Sequence, residues 1–258
     1  MPTPRRAASR GVSRARLSTI LALSVCAALP AFAQADTVAT IRPSFLPDRL
    51  GASTSLTLAL KFSGGEGQVP APVSKMVVHL PAGLGIGLRG VSTCSQAGLQ
   101  RRGAAGCRSS SLLGRGHAIL DVHAGSQTIP EEAAVWAFRG PDRGGRPTLE
   151  IFGQGETPLD ESTISTAVLD PDGAPYSSKL TVSVPPIPTL VGEPNASFVS
   201  LSLSIGGVGR RLRAHAAAGT ILVPRSCPAG GFPFAAEFTF AGQSMASAAA
   251  RVACPNRR

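Results

Sequence analysis

The residues of this chain best suited to chemistry are six acids in one middle third: Glu131, Glu132, Glu150, Glu156, Asp160 and Glu161. Two carboxylates held about 5–9 Å apart across a glycosidic bond can hydrolyse it, one as acid and the other as nucleophile or base. A secreted glycan hydrolase using a carboxylate pair from the 131–161 region is therefore the enzymatic reading. Its rival is that Glu131-Glu132 and Asp160-Glu161 are turn or edge charges, which keep the rim of a sheet from pairing with other chains.

The four histidines are His79, His117, His123 and His215. In His117-Ala-Ile-Leu-Asp-Val-His123 a strand period of two puts His117, Asp121 and His123 on one face, where neighbours two apart can reach one ion. His117 lies about 13 Å from Asp121 at strand rise, too far to share that ion without a bulge. Ala118, Leu120 and Val122 alternate with them, so the polar three read as a solvent face. A metal protein centred on Asp121 and His123 is the weakest of three functional classes.

Other motifs carry less. No G-x-S-x-G elbow is present. Gly85-Ile-Gly87-Leu-Arg-Gly90 matches G-x-G-x-x-G, but Val91-Ser-Thr-Cys94 follows where that motif needs a helix N-terminus. Asp170-Pro-Asp-Gly173 has the head of a calcium loop without its remaining acids and reads as a turn. Arg101-Arg102 with Arg108, and Arg210-Arg211-Leu-Arg213, are basic clusters able to meet an anionic envelope polymer. A nucleic-acid platform also needs stacking rings, and besides phenylalanines placed inside by alternation the chain has only Trp136 and Tyr176. These residues assign no catalytic, cofactor-binding or metal-ligating position, call for no cofactor, and point to no nucleic-acid partner.

Cysteine chemistry is more informative. Of Cys26, Cys94, Cys107, Cys227 and Cys254, the first falls in a segment expected to be removed, leaving an even number. Four cysteines in an exported chain read as two disulfides. The expected pairs are the local ones, Cys94–Cys107 and Cys227–Cys254. A hairpin of Phe234–Phe240 with Ala246–Ala253 about Gly242-Gln243 would bring Cys254 opposite Gly231, four residues from Cys227. Zinc is the runner-up, but separations of 13 and 27 lack the C-x-x-C knuckle.

The first 35 residues hold five arginines and no acid, then the apolar run from Leu17 to Leu29 and the small-residue exit Pro30-Ala-Phe-Ala-Gln-Ala35. That is the pattern of a secretory signal peptide, with cleavage expected after Ala35 and Ala33 as the alternative. Lipid attachment at Cys26 is disfavoured because Val25 stands where a small residue is expected. Arg5-Arg6 opens no twin-arginine signal, the apolar run starting ten residues later. Residues 36–258 carry 20 basic against 15 acidic residues, so half of the chain's net charge of +10 belongs to the leader. After the leader no apolar run approaches the roughly 18 residues of a transmembrane helix. The expected location is secreted or on the extracellular face of the cell envelope.

What must position these groups is a sheet. With 29 Gly and 22 Pro in 258 residues, long helices are disfavoured. With 43% hydrophobic and 16% charged residues the chain is too apolar for disorder. Leu56, Leu58, Leu60 and Phe62 alternate with polar residues; so do Leu180, Val182 and Val184, then Val199, Leu201, Leu203 and Ile205. Phe232, Phe234, Phe238 and Phe240 share one parity. These are strands buried on one face, the habit of antiparallel sheets. Weaker strands are expected at Met76–Leu80, His117–His123, Val135–Phe138, Thr148–Phe152, Ser162–Leu169 and Thr220–Val223. The expected fold is all-β, an antiparallel two-sheet sandwich of immunoglobulin-like or jelly-roll-like type spanning 36–258 as one domain, with a short helical turn near 95–102. Pro185-Pro186-Ile-Pro188 reads as an extended loop and Gly206–Gly219 as a long exposed connection.

Leu80-Pro-Ala-Gly-Leu84 and Cys227-Pro-Ala-Gly-Gly-Phe-Pro-Phe234, with Cys254-Pro255, resemble segments of exported β-rich proteins of high-GC soil actinobacteria, a family without an assigned activity. The resemblance implies export and a β-rich fold and carries no site. The sequence therefore reads as an exported, disulfide-stabilised β-sandwich without catalytic function. It would serve as a cell-surface or extracellular binding or structural module whose partner is an anionic polymer or another extracellular protein.

Overall fold

The computed structural model describes residues 37–65, 68–157, 159–206 and 221–255. The expected leader with Cys26, and Arg210, Arg211, Arg213 and His215 of the 206–219 connection, lie outside the described residues.

Antiparallel strands make up more than half of the described chain. They are β1 (Val38–Leu46), β2 (Ser53–Ser63), β3 (Val73–Pro81), β4 (Gly85–Ile86), β5 (Leu112–Ala124), β6 (Gln127–Arg139) and β7 (Thr148–Thr157). β8 (Ser162–Pro171), β9 (Tyr176–Ser183), β10 (Ser197–Ile205), β11 (Ile221–Leu222), β12 (Phe232–Phe240) and β13 (Met245–Val252) follow. One helix, α1 (Gln96–Arg102), precedes β5.

Hydrogen bonding runs without a break through β1, β2, β10, β5, β6, β7, β8, β9, β3, β12 and β13. The short β11 and β4 continue from Ser53 and Thr54 at the start of β2. β13 returns beside β1, with no hydrogen-bonded ladder between them. The strands thus form one continuous sheet curled upon itself, where two separately bonded sheets were expected. Period-two patterning specifies which face is buried, and a twisted sheet of this many strands can bury that face by curling as well as by stacking.

Inside the curl, alternation holds along most strands and slips at bulges: in β10 the register shifts between Phe198 and Ser200, so Phe198 packs against the core with Leu201, Leu203 and Ile205 where Val199 was expected. Leu56, Leu58, Leu60 and Phe62 of β2 are buried, as are Phe232, Phe234, Phe238 and Phe240 of β12. Opposite walls meet through these rings. Phe62 and Phe238 pack edge to face at 4.9 Å, and Phe45 of β1 meets Phe232 at 5.7 Å. Such pairs contribute about 0.5–1.5 kcal/mol each beyond the area they bury.

A second, smaller core lies on the outer face. Along β7, Leu149 and Ile151 point inward, whereas Phe152 points outward with Phe138 of β6 and packs against Cys94 and Leu99. The covering segment is α1. Ser95 caps it, accepting from Gly98 N–H at 3.2 Å, and Arg101 and Arg102 occupy the last turn, where the helix dipole favours cations. The Cys94–Cys107 disulfide, with Cα atoms 5.3 Å apart, encloses this helix.

The second disulfide joins Cys227 to Cys254 across 5.8 Å between Cα atoms. The β12–β13 register pairs Phe232 with Val252, which brings Cys254 opposite Gly230, one residue from the expected Gly231. The cause is the loop. Phe240 N–H donates to Ser244 O at 2.9 Å, so Ala241, Gly242 and Gln243 form a three-residue turn. Gly242 and Gln243 both take positive φ there, 81° and 68°.

Candidate functional site: an apolar cavity with two carboxylates

On the side of the interior away from the phenylalanine cluster the walls do not fill the space between them. Inward positions of the neighbouring strands β6, β7 and β8 carry Ala133, Gly153, Gly155, Thr163 and Ser165, side chains too short to meet those opposite. A cavity of about 70 Å³ remains. Leu120 and Val122 of β5, Val135, Ile151, Val182, Ile187, Phe198 and Leu201 complete a lining that is almost entirely apolar.

Polar groups enter this lining on one side only. Glu131, Glu161, Thr163 and Ser165 come from β6, from β8 and from the residue before β8. Glu131 is 4% exposed, whereas Glu161 is exposed. Leu159 N–H donates to Glu131 Oε2 at 2.9 Å and fixes the carboxyl. Burial pushes Glu131 above the usual glutamate range; the Leu159 hydrogen bond pulls it partly back, and the charge of Glu161 adds to the rise. Gly155 makes this arrangement possible, because a methyl there would collide with Glu131 Oε1 and the Leu159 carbonyl. Thr163 Oγ1 is buried and finds no hydrogen-bond partner among the described residues.

Of the six middle-third acids, then, the structure brings only Glu131 and Glu161 to one cavity. Glu132 faces outward, Glu156 is exposed, and Asp160 accepts from Gln154 Nε2 at 2.7 Å at the surface. Glu150 is fully buried on the outer face of β7. Thr166 Oγ1 donates to its Oε2 at 2.8 Å, and Arg143 stands 3.5 Å from Oε1, which has no hydrogen bond. Burial raises its pKa, against the Thr166 hydrogen bond and the Arg143 charge.

The other candidate groups separate. Asp121 and His123 lie on the outward face of β5; burial raises the Asp121 pKa and the His123 charge opposes it. No third His, Cys, Asp or Glu converges with them among the described residues. Gly85 and Ile86 form β4, and no helix follows them before α1. Arg101, Arg102 and Arg108 are exposed around α1. Trp136 packs on Phe152 in the outer core, with ring centres 5.8 Å apart.

One cluster has no local signal in the sequence. His79 on the outer face of β3 meets Asp172, with Nδ1 2.6 Å from Oδ2, and its ring lies 5.1 Å from that of Tyr176. Glu237 of β12 is 3.7 Å from His79 Nε2. The histidine hydrogen bond, foremost, lowers the Asp172 pKa. Both acids of the Asp170-Pro-Asp172 turn are thereby engaged, since Asp170 accepts from Arg146 at 2.7 Å. His79 and Asp172 are 93 residues apart, and only the β3–β9 pairing, with the turn before β9, joins them.

No helix among the described residues is long and apolar enough to cross a membrane. Comparison with family models, with curated proteins and with solved structures finds no match to this chain.

Proposed function

We propose that the chain is an exported, non-catalytic binding module of the cell surface or extracellular space, with the cavity bounded by β5–β9 and β10 as its binding site. The observation that carries the reading is the lining. A site of this kind, mostly apolar with a few convergent polar groups, is how proteins hold small molecules. Two disulfides favour an oxidising compartment, as do the basic head, apolar stretch and Ala-rich exit of residues 1–35. The resemblance to exported actinobacterial β-rich proteins agrees with both.

Glycan hydrolysis is the second reading, favoured by one observation: Glu131 and Glu161 line the same cavity. A sugar subsite also needs hydrogen-bond partners for its hydroxyls. Here Thr163 and Ser165 are the only neutral polar side chains in the lining among the described residues.

The test uses the full chain expressed in a bacterium that exports it. N-terminal sequencing of the secreted protein is expected to start at Asp36, or at Gln34 for the alternative cleavage. Retention in the cytoplasm with residues 1–35 intact would overturn export. Incubation with a glycan panel is expected to release no sugar; turnover abolished by Glu131→Gln or Glu161→Gln would replace the binding reading with the enzymatic one.

A further inference from the structure

We infer that the cavity takes a small apolar amine, its hydrocarbon body among the inward side chains and its ammonium against Glu131 and Glu161. The inference rests on the cavity being the binding site proposed above and goes further by naming the ligand's chemistry.

Three observations converge. The first is charge: among the described residues the lining holds two carboxylates and no Lys, Arg or His, so an anion entering it meets unbalanced negative charge in a poorly hydrated space. The second is placement. Glu131 is buried and Glu161 exposed, which sets one acid deeper than the other, so that an entering cation finds a carboxyl partner at both depths. The third is the unpartnered Thr163 Oγ1, buried on the same side of the cavity. Its lone pairs can accept from an ammonium, which has three donors to distribute. A neutral alcohol has a single donor and leaves part of this acceptor set unsatisfied.

Size limits the hydrocarbon. A cavity of about 70 Å³ is roughly half the 150 Å³ void that encloses benzene in a protein core. The body is therefore a short alkyl group of a few carbons that projects its head toward Glu161, neither a six-membered ring nor a long acyl chain.

The experiment compares propylamine, 1-propanol and butanoate at pH 7, probes whose three-carbon body suits a cavity of about 70 Å³. Binding is followed by calorimetric titration and by shifts of the Ala133 and Thr163 methyl resonances. The amine is expected to bind about tenfold or more tightly than the alcohol, as a charge-assisted hydrogen bond requires, and the carboxylate not at all. In Glu131→Gln the amine should fall to the level of the alcohol while the alcohol is unchanged. If Glu131→Gln does not fold, Glu161→Gln decides, and an undiminished amine preference in that variant overturns the inference. Equal binding of amine and alcohol to the unaltered protein sinks the amine inference and leaves the binding reading standing. Failure of all three probes to shift either methyl removes both.

Discussion

The segment closed by Cys94–Cys107 should come off the sheet when its bridge is removed. Within 92–111 the only large apolar side chain is Leu99, 1% exposed, and burying a leucine contributes roughly 1.5–3 kcal/mol. Closing a loop across a separation of 13 residues without a cross-link costs about 2.9 kcal/mol by the chain-entropy relation. The two terms are of one size. The double variant Cys94→Ala/Cys107→Ala is thus left with hydrogen bonds such as Cys94 N–H to Arg139 O, 2.7 Å, each contributing about 1 kcal/mol. The chain's one tryptophan reports the event, because Trp136 packs in the outer core that this segment covers. In a urea titration the variant should lose up to about 3 kcal/mol. Its Trp136 emission should shift to the red at lower urea than the far-ultraviolet dichroism of the strands changes. Coincident transitions with a loss below about 1 kcal/mol would show that packing, not the bridge, holds the segment, and would refute the reasoning.

Three further outcomes follow from individual side chains. Glu150 has a folded-state pKa above its unfolded value, so its penalty is full above the folded pKa and disappears as pH falls toward the unfolded one; Glu150→Gln should therefore unfold at equal or higher denaturant than the parent at pH 7, and the gap should close on acidification. Asp172 is the opposite case, its folded pKa lowered chiefly by the His79 hydrogen bond: its contribution is present above the unfolded pKa and lost as pH falls through the folded one. Asp172→Asn is expected to cost about 1–2 kcal/mol at pH 7 and progressively less as the pH is lowered below the unfolded-state value, read from denaturation midpoints across an acid series. Phe238→Ala removes a fully buried ring that meets Phe62 and should cost about 3–5 kcal/mol in calorimetric or denaturant unfolding.

The inward faces of β2, β9 and β12, and of β10 from Leu201 onward, were legible because one buried face leaves a period-two record in the sequence; the bulge at Phe198/Ser200 is what misplaced Val199. α1 was legible at its cap, where Ser95 precedes the helical turn, and the joined cysteine pairs are those that chain proximity favours. Neighbour order was not. Alternation tells a strand which side to hide but not which strand stands beside it, and β3 inserts between β9 and β12 through contacts far apart in the chain. β1 left a signal in Ala39, Ile41 and Phe45 that Pro43 interrupts; proline is tolerated because only one side of β1 carries a ladder. The cavity was hidden for a related reason. Ala133, Gly153 and Ser165 are unremarkable singly, and only the β6–β7–β8 register stacks these small residues. The same register separates Glu131 from Glu132, one turned in and the other out.

The lopsided interior bears on how this protein would respond to compression. One side is filled by rings in contact, whereas the other keeps a void equivalent to about 40 mL/mol, a volume that unfolding would surrender to solvent. Hydrostatic pressure should therefore act first on the small-residue strands, while the phenylalanine side, with little space to give up, resists. A molecule lodged in the void would cancel that weakness, so pressure tolerance would itself report occupancy.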